Sequence, residues 1–273
     1  MEYGWNSIYL YNKLKLNYYV SGKLKNKSES EETIVSELKI YCMPYAGGSK
    51  SIYSNWIKSH ADLCKIVPME YKGHGELFSE PFYSTMEETV EDMYKRIAAD
   101  SPDNYVIFGH SLGSIVALLT AEKLQKNYSK SPKALIVAGI RPPHLLYKDK
   151  KLGGLSKNEF MESFFELGQM DQEIMECPEL IDIIYEILSN DVKIEENYKH
   201  NENEHDLLNI PIFAMTGIKD DEAPVEDIQE WGNYTTNSLT VQLFQSDHFF
   251  PFNCSDFEPY FRSIIKKIAA DAV

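Results

Sequence analysis

Three residues whose side chains can share one reaction each follow a separate apolar, strand-like run of this sequence: Ser111, Asp220 and His248. A serine hydroxyl becomes a nucleophile when a histidine takes its proton, while a carboxylate orients that histidine and stabilises its charged form. The chain order serine, acid, histidine is the order found in α/β hydrolases. The three residues therefore predict a serine hydrolase in which Ser111 attacks, His248 acts as the base and Asp220 orients it.

The motif around the serine is Gly109-His110-Ser111-Leu112-Gly113, which lies between a strand-like run and a helix-forming run. In a nucleophile elbow with this G-x-S-x-G pattern, the glycines allow strand and helix to approach closely and the serine lies in a strained turn. The helix that follows offers its first N–H groups to a developing oxyanion. A chance match is the alternative, since the motif is short, but the flanking strand and helix favour the elbow.

The acid of the predicted triad comes from the turn Gly217-Ile218-Lys219-Asp220-Asp221, directly after an apolar run at 210–216. We prefer Asp220 because it ends the glycine turn, and Asp221 is the competing candidate one residue away. The base is His248, because it alone among the histidines follows the last strand-like run. We expect His110 to point elsewhere and His74 to be a loop residue near the cleft, not a base. The other histidines are expected at the surface: His60, His144, His200 and His205.

A second loop, Pro44-Tyr45-Ala46-Gly47-Gly48-Ser49, follows an apolar run at 38–43. Serine hydrolases of this layout take one oxyanion donor from such a loop and the other from the residue after the nucleophile. The candidate donors are therefore the amides of Ala46 and Leu112, with Tyr45 as the alternative in the loop. On its own, the loop would be read as a plain strand-to-helix turn.

The predicted elements alternate between strands and helices, which is typical of an α/β protein with a mostly parallel sheet flanked by helices. Strands are expected at 38–43, 65–70, 105–108, 134–139, 210–216 and 239–244, and helices at 52–61, 86–99, 115–124, 224–231 and 257–268. A tyrosine-rich stretch at 7–20 suits an edge strand or hairpin, and residues 1–36 receive no chemical role. The fold expected for residues 1–273 is a single α/β-hydrolase domain.

The segment 141–209 interrupts this alternation, and we interpret it as a helical lid inserted into the domain. Two helices are expected in it, at 156–167 and 178–188, and Ser156 with Glu159 forms a capping-box pattern at the start of the first. Apolar side chains recur on that helix at helical spacing: Phe160, Phe164, Phe165 and Leu167. This stripe can pack on the body of the domain or cover an acyl pocket, and a lid can do both.

Composition restricts the partners and the compartment. The 273 residues carry a formal net charge of −15, which argues against nucleic acid or an anionic membrane as a partner. No apolar run is long enough to cross a bilayer, and the 4 cysteines lack the spacing of a metal site. We expect free thiols in a reducing cytoplasm, no cofactor, no metal and a monomeric protein.

Four motifs together resemble the type II thioesterases, stand-alone α/β hydrolases that accompany non-ribosomal peptide and polyketide synthases. They are the loop at 44–49, the elbow at 109–113, the turn at 217–221 and Asp247-His248-Phe249-Phe250. The resemblance extends from about residue 38 to the C-terminus. It implies hydrolysis of acyl, aminoacyl or peptidyl groups from the phosphopantetheine arm of carrier proteins, which clears misprimed or stalled carriers.

Two other functions are compatible with the sequence. A general carboxylesterase or an acyltransferase would use the same triad on another acyl donor, with water or an alcohol as the acceptor. A catalytically idle binding module is the alternative outside enzymes, and the complete set Ser111, Asp220 and His248 argues against it. Since carrier proteins tend to present an acidic helix, the expected contact is a basic patch at the start of the lid, formed by Lys148, Lys150 and Lys151.

Overall fold

Six strands form one parallel sheet in the computed structural model, which describes residues 37–146, 152–166, 177–201 and 205–270. The strands are β1 (Lys39–Met43), β2 (Lys65–Pro68), β3 (Tyr105–His110), β4 (Leu135–Ala138), β5 (Ile212–Gly217) and β6 (Leu239–Phe244). Their order is β2-β1-β3-β4-β5-β6, and neighbouring strands pair in parallel throughout. The central strands β3, β4 and β5 are buried along their whole length, as a parallel sheet covered on both faces requires.

Helices connect the strands and cover the sheet. Within the described residues they are α1 (Ser54–Ser59), α2 (Met86–Asp100), α3 (Leu112–Asn127), α4 (Lys157–Glu166), α5 (Pro178–Asn197), α6 (Val225–Ile228), α7 (Phe250–Asn253) and α8 (Phe257–Ala270). Short 3₁₀ turns lie at Lys50–Tyr53, Gly75–Leu77, Pro143–Leu145 and Gln229–Tyr234. The alternation of strand and helix confirms the expected α/β-hydrolase architecture.

The core divides into two apolar clusters, one on each face of the sheet. Along β1, Tyr41 and Met43 belong to one cluster and Ile40 and Cys42 to the other, because side chains alternate between the faces of a strand. Helices α2, α3 and α5 contribute to the first cluster, and α1 and α8 to the second. Because all six strands are parallel, their carboxyl ends lie at the same edge of the sheet. The two core clusters hold the strands in place, and with them the loops that follow β1, β3, β5 and β6.

Several element boundaries differ from the sequence-based expectation. The helix expected at 52–61 is a 3₁₀ turn followed by the short α1, and the helix expected at 224–231 is α6 followed by another 3₁₀ turn. Helix α5 continues to Asn197, nine residues beyond the expected end, because its buried side chains recur at helical spacing through Ile194. The strand expected at 7–20 lies outside the described residues.

Helix α4, the first of the two helices expected in the segment 141–209, confirms part of its expected pattern. Ser156 and Glu159 form the capping box: each backbone N–H donates to the other side chain, at 3.0 and 3.4 Å. Phe160 and Phe164 are buried, but Phe165 is 39% exposed, so its assignment to the buried stripe is wrong. Phe165 follows Phe164 by one residue, which turns its side chain about a quarter of the way around the helix, away from the buried face. Leu167 lies outside the described residues.

No helix in the described part of the chain is both long enough and apolar enough to span a membrane.

Candidate active site

Ser111 occupies the sharp turn between β3 and α3. Its backbone has φ 53° and ψ −128°, a left-handed conformation that is uncommon for a residue with a side chain. The turn is held from below because the Ser111 N–H donates to the carbonyl oxygen of Ala138, at 2.8 Å. Ser114 adds a second brace, since its hydroxyl donates to the carbonyl oxygen of Gly109, also at 2.8 Å.

The two glycines of the elbow are required by close backbone contacts. A Cβ on Gly109 would lie 2.2 Å from the carbonyl oxygen of Gly113, and a Cβ on Gly113 would lie 2.3 Å from the carbonyl oxygen of Met43. Neither distance is compatible with a side chain unless the backbone shifts. The motif is therefore a true elbow, which places the Ser111 side chain at the carboxyl edge of the sheet.

His248 and Asp220 come together at the same edge, although they are 28 residues apart in the chain. Nδ1 of His248 lies 3.0 Å from each carboxylate oxygen of Asp220, so the ring nitrogen donates to the carboxylate. Both residues are buried, at 3% and 5% exposure. Burial lowers the pKa of His248, but the hydrogen bond and the charge of Asp220 raise it by more, and the net pKa lies above its ordinary value.

The turn after β5 distinguishes the two candidate acids. Asp220 is buried, and one of its carboxylate oxygens also accepts the N–H groups of Glu222 and Ala223, at 3.0 and 3.3 Å. Asp221 is exposed, and within the described residues no hydrogen bond or ion pair joins it to His248. The geometry thus pairs His248 with Asp220.

His110 contacts the loop that carries His248, so the expectation that it points elsewhere is wrong. Its Nε2 lies 2.8 Å from the carbonyl oxygen of His248, and because a carbonyl only accepts, Nε2 donates. His110 is fully buried, and burial and the neighbouring His248 lower its pKa well below the ordinary value. A neutral His110 therefore fixes the main chain of His248 from beneath. The rings of Tyr45, Phe249 and Phe252 pack around it.

Two backbone N–H groups are available near the serine. Ala46 and Leu112 are buried, yet among the described residues neither backbone N–H donates a hydrogen bond. Because no described group accepts from either N–H, both are suited to donate to an oxyanion. No described group accepts from the N–H of Tyr45 either, so Tyr45 stays the alternative donor in this loop. The Gly47 N–H is excluded, because it donates to the carboxylate of Asp191 at 2.7 Å.

Asp191 is a buried carboxylate beside this loop that no motif identifies. It lies on α5 and is 3% exposed. Its position continues the spacing of the partly buried Ile181 and Ile184 and the buried Leu188 along the helix. A carboxylate at helical spacing with apolar residues is the sequence signal that indicates a buried and hydrogen-bonded acid. Its partners are Gly47 and His74, and the loop position expected for His74 is confirmed.

The surface positions expected for four other histidines are wrong. His60 is 1% exposed because α1 packs against α8, and its ring lies against Trp56 and Phe261, with centroids 6.0 and 5.3 Å apart. The remaining three are partly buried, since long-range contacts with Tyr234 and Glu122 gather them: His144, His200 and His205. None of these rings contacts Ser111 or His248 in the described structure.

Two further points limit the site. The described residues contain no group of three or more His, Cys, Asp or Glu side chains placed to hold a metal ion. The lysines of the expected basic patch, Lys148, Lys150 and Lys151, lie outside the described residues.

Comparisons of this chain with family models, sequences and solved structures indicate the same family. The thioesterase domain matches residues 38–268 of this chain. The thioesterase PikA5 of Streptomyces venezuelae is 28% identical over 219 residues, which cover 79% of this chain and 76% of that protein. The probable anguibactin biosynthesis thioesterase AngT of Vibrio anguillarum is 26% identical over 211 residues, which cover 76% and 83%. The crystal structure of ClbQ, from the colibactin NRPS/PKS pathway, has a TM-score of 0.75 at 28% identity and covers 86% of this chain and 96% of its own.

The domain match includes every strand of the sheet and every residue of the site described above. The two curated relatives match over three quarters or more of both sequences, so the likeness is not confined to one motif. The chain therefore belongs to the thioesterase-domain family and is a thioester hydrolase with the α/β-hydrolase fold.

Proposed function

We propose that this chain is a type II thioesterase that removes acyl, aminoacyl or peptidyl groups from the phosphopantetheine arm of carrier proteins. It would proofread a non-ribosomal peptide or polyketide synthase through an acyl-Ser111 intermediate. The observation that carries the proposal is the buried His248–Asp220 pair at the sheet edge where the strained Ser111 turn ends. Relatives named for anguibactin biosynthesis and for the colibactin pathway support the substrate class.

In the first half of the reaction, Nε2 of His248 takes the proton of the Ser111 hydroxyl as its oxygen attacks the thioester carbonyl. Asp220 stabilises the imidazolium through Nδ1. The carbonyl oxygen becomes an oxyanion, which the N–H groups of Ala46 and Leu112 stabilise, helped by the N-terminus of α3. When the tetrahedral intermediate collapses, the carbon–sulfur bond breaks, and the imidazolium gives its proton to the departing thiolate.

In the second half, His248 takes a proton from water, and the hydroxide that forms attacks the acyl-Ser111 ester. The same two N–H groups stabilise the second oxyanion. The bond to the Ser111 oxygen then breaks, and the imidazolium returns a proton to that oxygen. The products are a carboxylic acid and the free thiol of the carrier, and the enzyme is regenerated.

We propose that the segment 141–209 is the lid over the acyl group. Its helices α4 and α5 contact each other, and Phe160 packs edge-on against Tyr185 with ring centroids 5.4 Å apart. A cavity of about 790 Å³ is lined by both rings and by Phe82 and Leu152, and also by charged side chains of α5: Glu186, Lys193 and Glu196. That volume lies within the range usual for ligand pockets. The rings in this lining suit the apolar part of an acyl or pantetheine group, away from the thioester itself, since neither Ser111 nor His248 lines the cavity.

The partner and the compartment belong to the same proposal. We expect a monomer that works in the cytoplasm on an acyl- or peptidyl-carrier protein, without a nucleic-acid or membrane partner. Four free cysteines, of which Cys42 and Cys64 are buried, fit a reducing compartment. The net charge of −15 disfavours polyanions.

A substrate comparison tests the proposal. The rate of hydrolysis by the wild-type protein is measured for three substrates: the acyl-phosphopantetheine carrier protein, the same acyl group on a small thiol, and the matching oxygen ester. Ser111→Ala is the control. We expect kcat/KM to be highest for the carrier, by about tenfold or more, because contacts remote from the thioester contribute to transition-state binding. A preference for the oxygen ester would favour a general esterase. Equal rates for wild type and Ser111→Ala would contradict a serine hydrolase altogether.

A further inference from the structure

The carboxylate of Asp191 joins three separate segments of the chain. It lies on helix α5, and one of its oxygens, Oδ2, accepts two hydrogen bonds. The Gly47 N–H donates to this oxygen at 2.7 Å, and Nε2 of His74 donates to it at 2.9 Å. Gly47 belongs to the loop 44–49, and His74 to the loop after β2. We call these three residues the Asp191 clasp.

Within the clasp, the contacts of His74 favour its positively charged form. Its Nδ1 lies 3.0 Å from the carbonyl oxygen of Lys72, which can only accept, and its Nε2 faces a carboxylate. A ring whose two nitrogens both donate is an imidazolium, so these two acceptors stabilise the charged form. Burial lowers the pKa of His74, but the charge and hydrogen bond of Asp191 and the Lys72 carbonyl raise it by more.

The other groups facing His74 come from the end of β2 and the loop after it. The carboxylate of Glu70 adds to the raised pKa, while the rings of Tyr71 and Phe82 lie edge-on to the imidazole. Tyr71 keeps its own proton, since burial raises the pKa of its hydroxyl well above the ordinary value. A neutral histidine would therefore leave the buried Asp191 charge without its counter-ion.

The clasp fixes the backbone of the loop that offers an oxyanion donor. Gly47 has φ 75°, and Leu188 of α5 fills the space where a side chain would be, 2.5 Å from the position of a Cβ. Gly48 closes the turn by donating its N–H to the carbonyl oxygen of Tyr45, at 2.8 Å. Because the peptide group that carries the Gly47 N–H is planar, its hydrogen bond to Asp191 also fixes the orientation of the Ala46 carbonyl group.

We propose that Asp191 is a positioning residue for acyl transfer: with His74, it couples the seating of lid helix α5 to the conformation of the loop that carries the Ala46 N–H. This inference rests on the proposed function, in which that N–H stabilises an oxyanion. When α5 is seated, the loop is held in the turn that directs the Gly47 N–H to the lid and leaves the Ala46 N–H unbonded. When α5 leaves, the loop loses the acceptor of Gly47 and the packing of Leu188 together.

Asp191→Asn tests the clasp, because the amide retains an oxygen for the Gly47 N–H but removes the charge that holds the His74 imidazolium. The control is Asp182→Asn, the same substitution at an exposed position of α5. Asp182 pairs with Lys157 at the surface, where an ion pair contributes little. Three quantities are measured with a small acyl thioester: kcat, KM and the affinity for an alkylboronic acid, whose tetrahedral adduct on a serine carries an oxygen in the oxyanion position.

We expect Asp191→Asn to lower kcat by about 10- to 100-fold, since loss of a single oxyanion donor costs about 10²- to 10³-fold and misplacement costs less. The affinity for the boronic acid should fall by a similar factor, while KM changes by less than about threefold. Asp182→Asn should behave as wild type. A role in stability alone would lower the melting temperature but leave kcat and boronic acid affinity unchanged, and that result would overturn the inference.

The reference reaction separates this inference from the proposed function. If wild-type protein shows no Ser111-dependent hydrolysis, the proposed function fails before the clasp is tested. If wild type is active and Asp191→Asn retains wild-type kcat, only the inference fails. Should Asp191→Asn not fold, His74→Gln decides instead, because glutamine can still donate to Asp191 but cannot carry its counter-charge. We expect His74→Gln to lower kcat and boronic acid affinity together, by about three- to tenfold, and unchanged values would overturn the inference.

Discussion

His248 and His74 are both buried histidines that hydrogen-bond a buried aspartate from a distant part of the chain. Nδ1 of His248 donates a hydrogen bond to Asp220, and no described residue forms a hydrogen bond with its Nε2. Nε2 of His74 donates to Asp191 and its Nδ1 donates to the carbonyl oxygen of Lys72, so both ring nitrogens are engaged in hydrogen bonds. A histidine–aspartate pair is therefore not in itself a catalytic base, and the availability of the second nitrogen decides the role.

The two aspartates differ in where their N–H donors lie in the chain. Asp220 accepts two N–H groups from its own turn, Glu222 and Ala223, so its orientation is set locally. Asp191 accepts the N–H of Gly47, which is 144 residues away in the sequence. In the proposed function the first carboxylate orients His248 for proton transfer, while the second connects helix α5 to the loop 44–49.

The largest effect expected from this comparison is a difference between His248→Gln and His74→Gln. The first removes the proposed base, and the kcat for a small acyl thioester should fall by about 10⁶-fold, as in serine hydrolases that lose the histidine of the triad. The second removes a charge from the clasp and should lower kcat by about three- to tenfold. Steady-state rates with the same thioester give both numbers. Equal losses in the two folded variants would break the distinction between the two pairs.

The next largest effect expected is the difference in kcat between substitutions at the neighbouring residues Asp220 and Asp221. Asp220→Asn should lower kcat on the order of 10⁴-fold, because the amide no longer stabilises the His248 imidazolium or selects its tautomer. The acidic limb of the pH–rate profile should also move to lower pH, since the pKa of His248 falls without the carboxylate. Asp221→Asn, the matched control, should change kcat by less than about twofold because Asp221 is exposed. If Asp221→Asn causes the larger loss, the pairing described here is wrong.

The smallest effect is the pH dependence of stability. The raised pKa of His74 means that its pair contributes fully to the free energy of unfolding below about pH 6.5. The contribution is lost as pH rises through the raised pKa, by about 1.4 kcal/mol for each unit by which the pKa is raised. Denaturant unfolding of wild type and His74→Gln between pH 6 and pH 9 should therefore give a difference that narrows as pH rises. A difference independent of pH would mean that His74 is not charged in the folded protein.

The catalytic candidates could be predicted from the sequence because each follows an apolar strand. Parallel strands end at the same edge of a sheet, so residues that follow β3, β5 and β6 converge even when they are far apart in the chain. The glycines at 109 and 113 made the elbow recognisable, and the backbone contacts explain why no other residue fits there. The choice between Asp220 and Asp221 needed the structure, since a shift of one residue in the turn exchanges their directions.

The clasp could not be predicted in this way. His74 and Asp191 are 117 residues apart, and their contact depends on how α5 packs against the body of the domain. No spacing rule joins a loop residue to a helix residue across that distance. For the same reason His60 was expected at the surface, although Trp56 and Phe261 enclose it. Tertiary packing of helices determines both positions, whereas the order of the strands determines the positions of Ser111, Asp220 and His248.

The most direct test of the account is the identity of the acylated residue. Wild-type protein is mixed with an acyl thioester, quenched in acid within the first turnovers and digested, and the peptides are weighed by mass spectrometry. The account predicts one acyl group on the peptide that contains Ser111 and no adduct in Ser111→Ala, which remains folded but loses turnover by about 10⁶-fold. Acylation of a different residue, or full turnover by Ser111→Ala, would contradict it.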